Sequence, residues 1–336
     1  MKKVKILVVV LALVISAGLL FGGSADARKV DFVAIVTGGT GGVYYPLGGA
    51  LAQIISNKVP DVSCSAQSGN ASVANCNLVA KEDVETGFVQ NNVADSAYNG
   101  NGPWKGRALT NLRAIASLYP ETIQIVARQE AGIKTITDVK GKRIAIGDKG
   151  SGTEFDARNI LTYHGITYDM INPDYVDYSV AASRLKDDQD DMLFKTAGVP
   201  TSAIIDLTMS KKTNFVNLSA EAVKKLTEKF PFYVPMTIPA NTYKGQTEPV
   251  QTIAMMAIWI THENVSEGLV YEMTKVLYEK TPLLYRKKQE KQSGAEILAK
   301  VHQQGAQVTL DTALAGITIP FHAGAAKYYK EKGMMK

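Results

Sequence analysis

The sequence predicts an α/β fold of two lobes that close on one cleft. Two observations carry this expectation. Short apolar runs alternate with stretches of helical periodicity, the pattern of βαβ units around a mixed, mostly parallel sheet flanked by helices. Two glycine loops, Gly38-Gly39-Thr40-Gly41-Gly42 and Gly147-Asp148-Lys149-Gly150-Ser151-Gly152-Thr153, each follow a β-type run and precede a helical one. Backbone N–H groups at a helix N-terminus favour an anion, so two such loops suggest two lobes gripping one anionic ligand.

The elements follow in order. Lys2, Lys3 and Lys5, the apolar run Ile6 to Phe21 and Ala25-Asp26-Ala27 read as a secretory signal over residues 1–27, cleaved before Arg28. The chain is therefore expected in the periplasm. Residues 30–37 read as a strand. Leu47, Leu51, Ile54 and Ile55 give the next segment a helical face, and 62–66 alternates like a second strand. Ala71 to Ala80 reads as a helix and Gly87 to Gln90 as a buried strand end. Leu112 to Leu118 and Thr122 to Ala127 read as two strands separated by a break at Tyr119-Pro120-Glu121, the first crossing between lobes. Arg143 to Ile146 precedes the second glycine loop, and a helix follows from Phe155 to His164. Tyr175 to Tyr178 is another β candidate, and Ala203 to Leu207 another apolar run. Phe230 to Pro235, with prolines that forbid helix, is the expected return crossing. A strand over 252–261 and a helix after Ser266 complete the pattern. The expected boundaries are lobe one at 28–120 and 234–336, and lobe two at 121–233.

Composition excludes several classes. Removal of residues 1–27 takes away three Lys and one Asp and lowers the formal charge from +5 to +3. No cluster is dense enough for nucleic acid. The apolar content of 46% is ordinary for a globular protein, and no later run is long enough to span a membrane. Cys64 and Cys76 form a candidate disulfide in an oxidising compartment, against the alternative of two buried thiols, one on a strand and one on a helix.

Enzyme signatures fail. Neither glycine loop has the Gly-Lys of a P-loop or the third glycine of a dinucleotide fingerprint. His262-Glu263 lacks its second histidine, and Asp187 to Asp191 lacks the glycine and closing Glu of a calcium loop. No cofactor or metal is expected. Thr40, Ser151 and Thr153 place hydroxyl donors beside the glycines, which suits a carboxylate. A binding protein is the expectation.

Six motifs in order resemble the TAXI family, the solute-binding subunits of TRAP transporters. They are Gly-Gly-Thr-Gly-Gly-Val-Tyr-Tyr-Pro at 38–46, Ser68-Gly69-Asn70, Phe88-Val89-Gln90-Asn91, Asp-Val-Lys-Gly-Lys-Arg-Ile at 138–144, Gly150 to Thr153, and Ala197 to Pro200. The resemblance spans essentially all of residues 28–336. It implies a clamshell of the periplasmic binding protein type (type II-like). Its implied ligand is a small organic acid or amino acid such as glutamate, glutamine or 2-oxoglutarate, and its partner is an ion-driven TRAP permease. Thr40, Gly41, Gly42, Tyr44, Ser68, Asn70 and Gln90 would contact the ligand from lobe one. Ser151, Gly152, Thr153 and Gly198 would do so from lobe two. No arginine lies in a motif loop, so neutral donors are expected to hold the ligand. The same fold serves binding subunits of ABC importers and sensor systems. A basic stretch at Arg286-Lys287-Lys288 is a candidate permease contact, against a solvated face.

Overall fold

The computed structural model describes residues 30–284 and 291–336. Residues 1–27, read as a secretory signal, and the basic stretch at 286–288 lie outside the described residues.

The first glycine loop is framed by β1 (Asp31–Val36) and α1 (Tyr44–Lys58). The chain continues through β2 (Val62–Gln67), α2 (Ser72–Ala80), β3 (Thr86–Gln90) and α3 (Asn91–Asn99). The strand β4 (Leu112–Arg128) then carries it into a second βαβ region. That region comprises β5 (Arg143–Ala145), α4 (Gly152–Tyr163), β6 (Asn172–Asp174), α5 (Tyr178–Lys186), β7 (Met192–Ala197), α6 (Ser202–Ser210), β8 (Thr213–Phe215), α7 (Ala220–Lys229) and β9 (Val234–Ile238). The long strand β10 (Val250–His262) returns, followed by α8 (Glu267–Tyr278), α9 (Gly294–Val301) and α10 (Ala323–Glu331).

Among the described residues the strands form one mixed sheet in the order β2-β1-β3-β10-β4-β7-β5-β6, with β8 on β4 and β9 on β10. The βαβ units pair in parallel, β1 with β3 and β5 with β6 and β7. The long strands β4 and β10 run antiparallel to each other and to their neighbours.

The anticipated break at Tyr119-Pro120-Glu121 is absent, because β4 runs straight through it. Pro120 has no N–H to give the ladder, yet it sits opposite Met256 beside two register shifts in β10. The Met256 N–H is bonded instead to the Asn91 side chain at 3.2 Å. The bulged register therefore absorbs the proline. One other reading shifts: the strand expected at 175–178 lies at 172–174, with Tyr178 opening a helix; the apolar run Ala203 to Leu207 is part of α6.

Period-two alternation lets each strand serve two cores. On β10, Ala257 and Trp259 join the core under α1 and α8, whereas Ile258 and Ile260 join the core under α2 and α3. Farther up the same strand, Ile253 and Met255 pack with Ile123, Ile125 and Ile160 in a third core. Ile238, Tyr243 and Val250, from the stretch expected to begin the return to lobe one, bury with Leu193 and Leu207 in a fourth. The long strands thus pass from one pair of cores to the other.

The disulfide is not formed: both thiols are free. Cys64, on β2, packs against the core under α1, while Cys76, on α2, lies in the core of the opposite sheet face. Burial pushes the Cys64 thiol up to about 12 and raises that of Cys76 further. Both thiols therefore stay protonated and unreactive near neutral pH.

Phe88 is buried on β3 and meets the Tyr44 ring edge-on at 5.8 Å. Phe88→Ala should cost about 3–5 kcal/mol, read as a lower urea midpoint with an unchanged slope.

Candidate functional site

The candidate site is a cleft between the two halves of the sheet, at the ends of β1, β3, β5 and β7. Its walls include both glycine loops, and its empty volume is about 590 Å³ with the mouth included.

From the first half, Tyr44 opens α1 and donates its hydroxyl to Glu121 Oε2 at 2.7 Å. Glu121 stands on β4 where the strand crosses between halves. Burial raises its carboxyl well above the usual range, against the pull of the Tyr44 bond and the nearby Lys195 charge. Gln90, at the end of β3, donates Nε2 to Asp156 Oδ2 at 3.1 Å, while its buried Oε1 has no partner among the described residues. Ala71, just before α2, holds φ 60° and ψ −149°, a conformation otherwise left to glycine.

From the second half, Ser151 caps α4 by accepting the Glu154 N–H at 3.1 Å. Thr153 Oγ1 accepts the Thr196 N–H at 3.2 Å, tying α4 to β7. Lys195 projects from β7. It is only 5% exposed, and its ammonium lies 3.4 Å from the centroid of the Tyr178 ring. Burial lowers its pKa, opposed by Glu121, Asp148 and Asp177. Asp148 is itself raised, by burial and by Asp177.

Asp156, on α4, is fully buried beneath the cleft. Oδ1 accepts from Asn92 Nδ2 at 2.7 Å and Tyr233 Oη at 2.8 Å. Oδ2 accepts from Thr196 Oγ1 at 2.8 Å and from Gln90. Even so, burial outweighs the four donors and pushes the carboxyl up to about 7.

The halves also touch across the cleft mouth. The Tyr178 hydroxyl donates to the Gly39 carbonyl at 2.8 Å, and Ser202 Oγ donates to the Gly41 carbonyl at 3.3 Å. The Gly150 carbonyl accepts the N–H groups of both Val73 and Ala74, so the second loop closes the N-terminus of α2.

Of the residues singled out in the sequence, Gly42, Tyr44, Asn70, Gln90, Ser151, Gly152 and Thr153 line the cleft. Thr40 and Ser68 are exposed and lie off its walls, and Gly41 faces Ser179 of the second half. Gly198 packs beneath Gln304, away from the cleft. The loops also spend N–H groups internally, Gly42 on the Gly39 carbonyl and Ser151 on the Asp148 carbonyl. The expected row of free backbone donors is thereby shortened. Glu121, Asp156, Tyr178 and Lys195 escaped the sequence reading. Lys195 had a usable signal, since it is a lone charge inside the apolar run Met192 to Ala197. Lys195 adds a cation to the cleft wall beside the neutral donors expected there.

Residues 35–333 match the family model described as the NMT1-like family. The chain belongs to the NMT1-like family. Among solved structures, this family member is similar to a putative L-cystine ABC transporter from Listeria monocytogenes. The two are 12% identical over 84% of this chain and 100% of that one, with a TM-score of 0.51. It is also similar to a protein of Bordetella bronchiseptica RB50, at 15% identity over 92% and 90% of the two chains and a TM-score of 0.51. At such identities the likeness is one of fold, a two-lobed α/β clamshell. No helix among the described residues of this NMT1-like chain is long and apolar enough to cross a membrane. None of its described His, Cys, Asp and Glu residues group as a metal site.

Two outcomes follow. A Cβ at Gly42 would stand 2.1 Å from the Tyr178 hydroxyl. Gly42→Ala should therefore loosen the contact between halves, seen as a larger radius of gyration by solution scattering, with secondary structure unchanged. Asp156 has a folded pKa near 7, raised from its ordinary value near 4, so the native state binds its proton more tightly than the unfolded chain. Its stabilisation is complete below about pH 4 and lost as pH rises through about 7. Urea midpoints at pH 4.5 and 8 should differ more in the wild type than in Asp156→Asn.

Proposed function

We propose that this chain is the extracytoplasmic solute-binding subunit of a membrane importer and not an enzyme. It captures a small organic acid or amino acid of the glutamate, glutamine or 2-oxoglutarate class. The observation that carries this reading is the cleft itself, which takes polar walls from both halves and is bridged by hydrogen bonds at its mouth. A solute bound to one half would be enclosed when the other closes, by hinge motion at β4 and β10. Lobe one would comprise most of 28–120 and the C-terminal helices, and lobe two the region from 121 into β9. Delivery from the periplasm follows from the signal sequence read at 1–27.

Tyr44, Gln90 and Thr153 are the proposed contacts with the firmest support, because each lines the cleft and is held by a named bond. The six ordered motifs support a TRAP permease of the TAXI type as the partner. An ABC importer is the second reading, favoured by the fold shared with the Listeria protein described as an ABC transporter. A multi-span, ion-driven permease encoded beside this chain supports the first, and an ATPase with its own permease supports the second.

A thermal-shift screen against amino acids, dicarboxylates and keto-acids tests the proposal. A ligand at a hundredfold excess over Kd stabilises by about 2.7 kcal/mol, so a clear rise in melting point is expected with at least one acid. Tyr44→Ala and Thr153→Ala should each weaken that ligand at least tenfold, about 1.4 kcal/mol. Unchanged affinity in both removes the site assignment, and recovery of a chemically altered ligand removes the non-enzymatic reading.

A further inference from the structure

Lys195 is a buried cation that the protein leaves uncompensated at close range. Among the described residues its ammonium makes no hydrogen bond and no close ion pair; its contact is the face of the Tyr178 ring at 3.4 Å. The acidic groups that act on it, Glu121, Asp148 and Asp177, do so through space. Glu121 is already engaged with Tyr44. A cation on an aromatic face regains only part of the hydration it gives up on burial. A lysine on a central strand in this condition, at the wall of a small cleft, lacks a directly bonded anion.

We infer that Lys195 is the counter-charge for the anionic group of the bound solute, and that Tyr178 holds it in position when the halves are closed. The inference rests on the solute-binding reading and names the residue that selects for charge. The geometry links the two parts. Tyr178 begins α5 in the second half and Lys195 lies on β7 of the same half, so ring and ammonium travel together. The Tyr178 hydroxyl reaches across to the Gly39 carbonyl at 2.8 Å, and Gly42 leaves the space that this hydroxyl occupies. Closure therefore locks the ring that carries the lysine. Tyr44 and Gln90 face the same space from the first half, with the unpartnered Gln90 Oε1 ready to accept from a donor on the solute.

The test uses the chain without its signal, titrated by calorimetry with L-glutamate, L-glutamine and 2-oxoglutarate as probes. Lys195→Met and Lys195→Gln remove the charge at similar length, and Tyr178→Phe removes only the bond to Gly39. Both lysine variants should lose at least tenfold in affinity for the probe that the wild type binds, while the melting point without probe stays level or rises. A lysine with a purely structural part would lower that melting point instead. Tyr178→Phe should weaken the same probe with the ring contact retained. Wild-type affinity in Lys195→Gln, with the wild type binding a probe, overturns the role of the lysine and leaves the solute-binding reading standing. A wild type that binds no probe overturns both. Should Lys195→Met fail to fold, Lys195→Gln carries the comparison.

Discussion

The two halves of this protein meet on one buried carboxylate. Asp156 collects four hydrogen bonds, from β3, from α3, from β7 and from the segment before β9. Each donor belongs to a different element, so the carboxylate sets the spacing of both halves at the base of the cleft. Its position explains the residues around it. Gln90 must extend from β3 to reach it, and Gly152 must lack a side chain because a Cβ there would stand 1.8 Å from Gln90 Oε1. The cleft is therefore built on a polar hub and not on an apolar seam. Such a hub gives the contacts between halves a direction that a continuous hydrophobic core would lack.

The charges in the cleft follow the same logic. Glu121 and Lys195 are both buried, and burial drives each toward its neutral form, while their mutual attraction favours the ionised pair. Asp148 and Asp177 add to the pull toward a charged lysine, against the larger effect of burial. The result is a polar space with one cation and several acceptors. A solute that brings its own anion and its own donor would satisfy both.

The glycine loops have a double use. Their backbone bends take them to the cleft, as the sequence suggests, yet part of their glycine content serves contact between halves. Gly41 and Gly42 make room for Ser179 and Tyr178, and the Gly150 carbonyl receives the first turn of α2. A loop that reads as an anion cradle is here also a surface that the other half contacts.

The alternation of β and α periods determined the α/β class from sequence alone, because amphipathic period is a local property of residue order. The paired loops and the cleft placement of Ser151 and Thr153 were legible for the same reason: glycine and hydroxyl residues between a strand and a helix are local signals; Gly42, Tyr44, Asn70, Gln90 and Gly152 were named as ligand contacts through the six ordered motifs. Tertiary structure decided the rest. Whether Tyr119-Pro120-Glu121 broke a strand depended on the register of β10, far along the chain. Cys64 and Cys76 are near in sequence but fall on opposite sheet faces, which only the packing of α2 could decide. Thr40, Ser68 and Gly198 carry the residue types of a site and still lie outside the cleft wall. Glu121 and Asp156 were silent in sequence, and Lys195 offered only its place inside an apolar run, because a single charged residue gains its chemistry from burial and from partners supplied by distant segments.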